Sequence, residues 1–298
     1  MSVRLTLGPV LYNWSADRLV DFYARIADEA DVDRVHLGEV VCGKRAPFTD
    51  AIWPEVIERL EAAGKEVVIS LLALPSNVRE RKILAELAGE ERLVEINDVT
   101  GLALRSGRPF VVGPFVNVYN EMTAKFFAER GAGTVCLPVE LPISAAVVIA
   151  DAVPGIDVEV FAFGRMPLAV SGRCYHARLA GLHKDSCQFV CDRDPDGLDV
   201  STLAGQPFLA INGIATMSHG IEAYCPPLYE LETSGIRRLR LSPQTCDMVK
   251  VAAVYRALVS GSIEPNEARE RLVAIGLPGP LVDGYTRGLA GATFAPMA

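Results

Sequence analysis

The sequence lacks most of what would mark an exported, membrane-bound or nucleic-acid-binding protein. Its opening, MSVRLTLGPV, has no basic region followed by a long apolar run and a small-residue cleavage site, so no secretory signal is read and a cytoplasmic protein is expected. Long apolar runs are missing too. The most apolar stretch, VCLPVELPISAAVVIADAV, is broken by Glu140 and two prolines, so no membrane span is expected. Basic charge is in deficit: 29 Lys and Arg stand against 37 Asp and Glu, a formal net charge of -8. That balance opposes a large phosphate-binding surface, and nucleic acid is not an expected partner. The densest basic runs, RERK at 79–82 and IRRLR at 236–240, are short and read as solvated surface. Histidine is scarce, with four residues, and neither H-E-x-x-H nor G-x-S-x-G occurs; peptidase chemistry is left without a motif.

Nor does the chain need covalent staples. Its 298 residues, half of them apolar, can bury a large core. Seven cysteines, an odd number, do not suit the disulfide framework of a small secreted scaffold and fit reduced thiols better.

What is present is alternation. Strand-like runs occupy residues 4–10, 34–40, 66–73, 93–98, 110–116, 134–140, 158–164 and 237–243. Helix-length segments lie between them. In one, Leu19, Phe22, Tyr23 and Ile26 recur at helical spacing behind a capping Ser15. Another, TDAIWPEVIERLEAAG, has Thr49 or Asp50 as its cap, Pro54 in its first turns and Gly64 at its close. Eight near-continuously apolar strands separated by such helices predict an α/β fold, a closed TIM-like (β/α)8 barrel. Between about 171 and 236 the alternation lapses, which predicts a Cys-bearing insertion after the seventh strand, with FLAINGI as an extra strand or hairpin. The segment EPNEARERLVAIG reads as a terminal helix closed by Gly276. Residues 1–298 are expected to form one domain with this embellishment.

Cys42 follows the second strand, Cys174 lies about ten residues past the seventh, and Cys187 and Cys191 have three residues between them in KDSCQFVC. Barrel loops that follow strands converge on one face, and one helical turn would aim the sulfurs of Cys187 and Cys191 the same way. Four soft ligands suit either a four-iron cluster or a structural zinc; free buried thiols that merely pack are the competing reading. Cys136, Cys225 and Cys246 read as packing residues.

The residues also carry a resemblance. VEVFAFGRMPLAVSGRC (158–174) is similar to a block of the peptidase U32 family. LGPVLYNW (7–14), LGEVVCGKR (37–45), VNVYN (116–120), LPVEL (137–141), INGIATMS (211–218) and RLSPQ (240–244) resemble its UbiV branch, which serves oxygen-independent ubiquinone biosynthesis. The resemblance implies a [4Fe-4S] cluster held by Cys42, Cys174, Cys187 and Cys191. It also implies a heterodimer with a UbiU-like paralogue, a UbiT-like lipid carrier, and O2-independent hydroxylation of an isoprenoid quinone precursor. Pro167 stands where the peptidase and RNA-hydroxylating relatives carry a further Cys, and LGPVLYNW replaces their PAGN-like start. Both departures speak against proteolysis and against action on RNA. The alternatives are such a peptidase or RNA-hydroxylating relative, or a zinc-stabilised scaffold.

Other candidates follow from position. Glu39 and Glu140 end strands two and six, and Asn117 and Asn120 follow strand five, where a barrel orients substrates. Arg45, Arg165 and Arg173 surround the thiols in sequence and could offset thiolate charge. His176 and His183 flank the cysteines but read more readily as surface, while His36 reads as a packing residue. A cluster with four protein ligands has no open iron, so electron transfer is its expected task.

Overall fold

The computed structural model describes residues 3–105 and 107–294. In chain order its strands are β1 (Arg4–Leu7), β2 (Arg34–Leu37), β3 (Glu66–Ser70), β4 (Val94–Ile96), β5 (Phe110–Val112), β6 (Ala132–Cys136), β7 (Asp157–Val170), β8 (Leu198–Ser201), β9 (Pro207–Asn212), β10 (Ala215–Ala223), β11 (Ile236–Leu241) and β12 (Leu281–Val282). Strands β1 to β7 pair in parallel, each with the next, and β11 pairs in parallel with both β7 and β1. The result is a closed eight-stranded parallel barrel of the TIM type.

Helices cover its outside: α1 (Ala16–Glu29), α2 (Trp53–Ala62), α3 (Val78–Ala88), α4 (Thr100–Leu104), α5 (Glu121–Ala128), α6 (Ile143–Ala152), α7 (Tyr175–Leu179), α8 (Leu228–Thr233), α9 (Met248–Val259) and α10 (Pro265–Ala274). Ser15 caps α1 by accepting the Arg18 N–H, and the helix buries Leu19, Tyr23, Ile26 and Ala27. The cap expected for α2 is not formed. Two short 3-10 turns occupy 46–48 and 50–52, neither Thr49 nor Asp50 caps the helix, and Pro54 enters its first turn directly. Gly64 closes it at φ +78°. Among the described residues, no helix is long and apolar enough to cross a membrane.

Several strands stop short of their apolar runs, because the chain leaves the sheet at residues that cannot continue it. Gly38, at φ +105°, ends β2, and a Cβ there would press on the Ser70 carbonyl. Pro114 and Pro138, which carry no N–H for a ladder, follow β5 and β6. The apolar residues beyond, such as Val40 and Val41, stay buried in a second, smaller core.

Strand β7 behaves oppositely and runs for 14 residues. Its first half completes the barrel; its second half pairs antiparallel with β10, to which the β8–β9 hairpin is joined. The expected insertion is therefore a lobe grown from β7 itself, and Ile236 already belongs to β11. Gly213, at φ +64°, takes the first place of the two-residue turn between β9 and β10, where a left-handed backbone is required.

The barrel interior is not apolar. Arg240 donates to Glu159 (2.5 Å) and to Glu95, Ser70 donates to Glu95 (2.6 Å), and His36 sits 3.2 Å from the Ser70 hydroxyl. The run 236–240 is thus not the solvated surface its charge suggested: Arg238 and Arg240 are 1% and 3% exposed, because alternate residues of a barrel strand face inward. Burial alone would raise both carboxyls, but Arg240 and His36 outweigh it. Glu95 is held well below the usual carboxylate range and Glu159 falls to about 2. Burial in turn lowers His36.

Candidate functional site

Three segments deliver four thiols to one small cavity. It is lined by Cys42, Cys174, Cys187 and Cys191, together with Arg45 and His176. The loop after β2 folds back on Glu39, whose carboxylate accepts the N–H groups of Val41 (2.8 Å) and Cys42 (2.9 Å). Cys174 caps α7: its sulfur accepts from the Ala177 N–H at 3.4 Å and its thiol donates to the Gly213 carbonyl at 3.3 Å. Cys187 and Cys191 are not joined by the helical turn that their spacing suggested. Two consecutive residues between them, Gln188 and Phe189, are left-handed, at φ +49° and +53°, and this double reversal turns the chain. Left-handed non-glycine backbone costs about 1–3 kcal/mol per residue and concentrates where a site demands it.

Nitrogen donors surround the sulfurs. Cys191 faces Asn13 Nδ2 (3.4 Å) and Arg45 Nη2 (3.5 Å), and Lys44 Nζ lies 3.7 Å from Cys187. Arg45 is 2% exposed. Its guanidinium also donates to the Asn212 side chain (2.6 Å) and the Leu11 carbonyl (3.3 Å), with Glu39 3.9 Å away. Asn212 clips the segments together, accepting from the Asn13 N–H and donating to the carbonyls of Cys191 and Asp194. A Cβ on Gly213 would run into the Arg45 guanidinium. Burial raises the thiols of Cys42 and Cys174; Arg45 works against it at both, and the Ala177 N–H opposes it at Cys174. Among the described residues, no three His, Cys, Asp or Glu side chains are placed to share a single metal ion.

Residues 17–273 match the model of Peptidase family U32. The chain belongs to that family. Curated relatives include tRNA hydroxylation protein P of Helicobacter pylori, from strains ATCC 700392 / 26695 and J99 / ATCC 700824, each 28% identical over 135 residues. The match covers 43% of this chain and 32% of theirs, so the chain spans about a third of the length of those relatives. A solved U32 peptidase, Mk0906, is 10% identical over 82% of this chain and 94% of its own, with a TM-score of 0.44.

In this U32 chain the remaining candidates scatter. Arg45 is at the thiols. Arg165 serves the β7–β10 seam, donating to the carbonyls of Ser218, His219 and Pro278, and Arg173 is exposed. His176 is buried rather than on the surface, 2.9 Å from Asp194. His36 is part of the barrel's ionic core. Asn120 caps α5 by accepting the Thr123 N–H. Cys136 and Cys225 are buried in the barrel and its helix layer, and burial pushes the Cys225 thiol up to about 12. Cys246, half-buried near the start of α9, packs on the same core.

Glu140 and Asn117 lie instead in a second cleft of about 230 Å³ at the C-terminal mouth of the barrel, between Pro114, Phe115, Pro138 and Pro167. Tyr119 donates to Glu140 there. The cleft and the thiol cavity are neighbours: Leu74, Phe115 and Val170 line the cleft and pack in the same small core as Cys42, Cys174 and Cys187. Asn13, Lys44 and Asn212 were missed by sequence reasoning. The signal available for them was their place inside the blocks LGPVLYNW, LGEVVCGKR and INGIATMS.

Proposed function

We propose that this chain is an iron-sulfur subunit of an O2-independent hydroxylation system whose substrate is the aromatic ring of an isoprenoid quinone precursor. One observation carries the reading: four thiols spread from residue 42 to residue 191 line one cavity that nitrogen donors also face. A [4Fe-4S] core takes one thiolate at each corner, and four thiols line this cavity. Cys187 and Gln188 pass from right- to left-handed backbone, the sequence of conformations that makes an anion-binding nest. Seven free thiols suit a reducing compartment such as the cytoplasm.

When bound, such a cluster supplies one-electron transfer, since four protein ligands leave no iron open. The chain's own residues do the rest. Asn13, Lys44, Arg45 and the Ala177 N–H donate to the sulfurs and offset their negative charge. Leu74, Phe115 and Val170 line the mouth cleft and pack in the same small core as the thiols. A planar ring seated among the prolines and Phe115 meets Asn117 and Glu140 as polar contacts that fix its orientation. Resemblance to the UbiV branch adds a UbiU-like partner and delivery by a UbiT-like lipid carrier.

Anaerobic purification followed by iron and acid-labile sulfide assays tests the reading. Iron and sulfide in equal amounts are expected, lost on replacing any of Cys42, Cys174, Cys187 or Cys191 with Ala and retained in Cys136→Ala. Zinc without sulfide, or equal losses from all five variants, sinks it. The tRNA hydroxylation proteins of Helicobacter pylori favour a second reading, action on RNA, against which the net charge of -8 stands. Incubation with RNA and with a quinone precursor separates the two.

A further inference from the structure

Around most of the barrel, neighbouring helices close over the strands: α1 packs on α2, α3 on α4 and α5 on α6. Among the described residues, α2 and α3 leave a gap, as do α4 and α5, whose cavity of about 930 Å³ is lined by Arg108, Glu129 and Arg130 beside a few small or apolar residues. Between α2 and α3 lies a cavity of about 980 Å³, at the upper end of the range for small-molecule sites. Its floor is the outward face of β2 and β3, with Leu37, Ile69 and Leu71; its walls are Ile57 from α2 and Ile83 and Leu87 from α3. Every one of these side chains is apolar.

The two ends differ. The upper end is formed by Gly38, Glu39 and Gly43, the loop that carries Cys42. Gly43 is needed there because a Cβ would meet the Glu80 side chain at 2.8 Å. At the lower end Arg92, beyond α3, donates to Glu61 of α2, and this ion pair bridges the opening while Glu58, Glu86 and Glu90 stand beside it. Carboxylates stand at both ends, Glu39 and Asp50 above and Glu58, Glu86 and Glu90 below, so the interior suits a neutral chain, and the bridge obstructs a helix lying along the groove. A slender neutral chain passes both tests.

We propose that the slot between α2 and α3 binds the apolar chain of a lipid-like ligand, isoprenoid or fatty acyl, with its head group emerging beside the Cys42 loop. The chain enters from the upper end, lies along Leu37, Ile69 and Leu71, and ends under the Glu61–Arg92 bridge. Binding of the chain does not depend on iron; only the meaning of the head group's position rests on the hydroxylase reading.

The test uses the full chain, purified with and without iron, and cis-parinaric acid as a fluorescent probe. Saturable binding is expected, displaced by farnesol or by lauric acid, and whichever competes better names the source of the chain. The slot-filling variant Ile57→Trp/Ile83→Trp should weaken binding by roughly tenfold or more with an unchanged circular dichroism spectrum. Should that variant misfold, quenching of Trp53, which lines the slot, by a brominated fatty acid on the wild-type chain gives the second readout, reversed by farnesol. No saturable binding, binding unaffected by filling the slot in a folded variant, no quenching, or displacement by a basic amphipathic peptide but by neither chain would each overturn the proposal. Chain binding by a protein that never takes up iron defeats the hydroxylase reading alone, and iron uptake without chain binding defeats this one alone.

Discussion

The barrel interior and the thiol cavity both bury polar groups, and they balance charge in opposite ways. Inside the barrel, Arg240 is shared between Glu95 and Glu159, with His36 and Ser70 completing the network. One guanidinium bridges two carboxylates there. At the thiols, Arg45, Lys44 and Asn13 point at sulfur while burial holds Cys42 and Cys174 toward their neutral forms. Donors there outnumber the negative charge the chain itself supplies. The first network ties strands together across the barrel; the second aims nitrogen donors at thiol sulfur.

The comparison can be broken most severely at Arg240. Arg240→Met leaves two carboxylates buried without their cation and should cost about 3–5 kcal/mol in denaturant unfolding. The triple change Glu95→Gln/Glu159→Gln/Arg240→Met should recover most of that, because it removes the charges together. A full-sized loss in the triple variant would show that shape rather than charge balance governs the interior.

Acid should act on the same network next most strongly. Glu95 and Glu159 have depressed values when folded, so the stability they contribute is complete above the unfolded carboxylate value of about 4.3 and is lost as pH falls toward about 2 for Glu159. His36, lowered by burial, adds a loss that begins earlier, as the unfolded imidazole protonates below about 6.5. Thermal melts from pH 8 to pH 3 should therefore decline in two stages, and His36→Gln should erase the first.

At the thiols the effects are smaller and fall on loading. Gly213→Ala forces a Cβ toward Arg45 and strains a left-handed turn, for about 1–2 kcal/mol; iron retention should drop with it. Lys44→Met unpins the 184–187 turn, whose carbonyls accept from Nζ at 2.6 and 3.1 Å, and should cost about 1 kcal/mol. If Lys44→Met harms the barrel as much as it harms iron retention, the separation between the two regions fails.

The alternation of apolar runs made the barrel legible, since parallel strands covered on the outside must be apolar there. The inward face was not, because period-two alternation looks the same whether the polar residue meets water or a buried partner. RRLRL illustrates this: only the closed sheet reveals that Arg238 and Arg240 face Asp157, Glu66, Glu95 and Glu159. The four cysteines could be named from spacing and resemblance, but the local path at Cys187–Cys191 could not. Nothing in QF announces two left-handed residues, a conformation set by tertiary contacts. Asn212 was equally silent, for a single amide in a hairpin turn reads as turn chemistry until its partners are in place.

The dual pairing of β11 has a consequence for the growing chain. All four cysteines have been polymerised by residue 191, yet the segment that seals the first strand to the seventh begins only at Ile236. In that interval of translation the edges of β1 and β7 lack the pairing that closes the barrel. A released chain truncated at residue 235 should leave these thiols more open to alkylation than the full chain does. Barrel closure, which comes last along the chain, is thus also the step that completes the scaffold behind the thiol cavity.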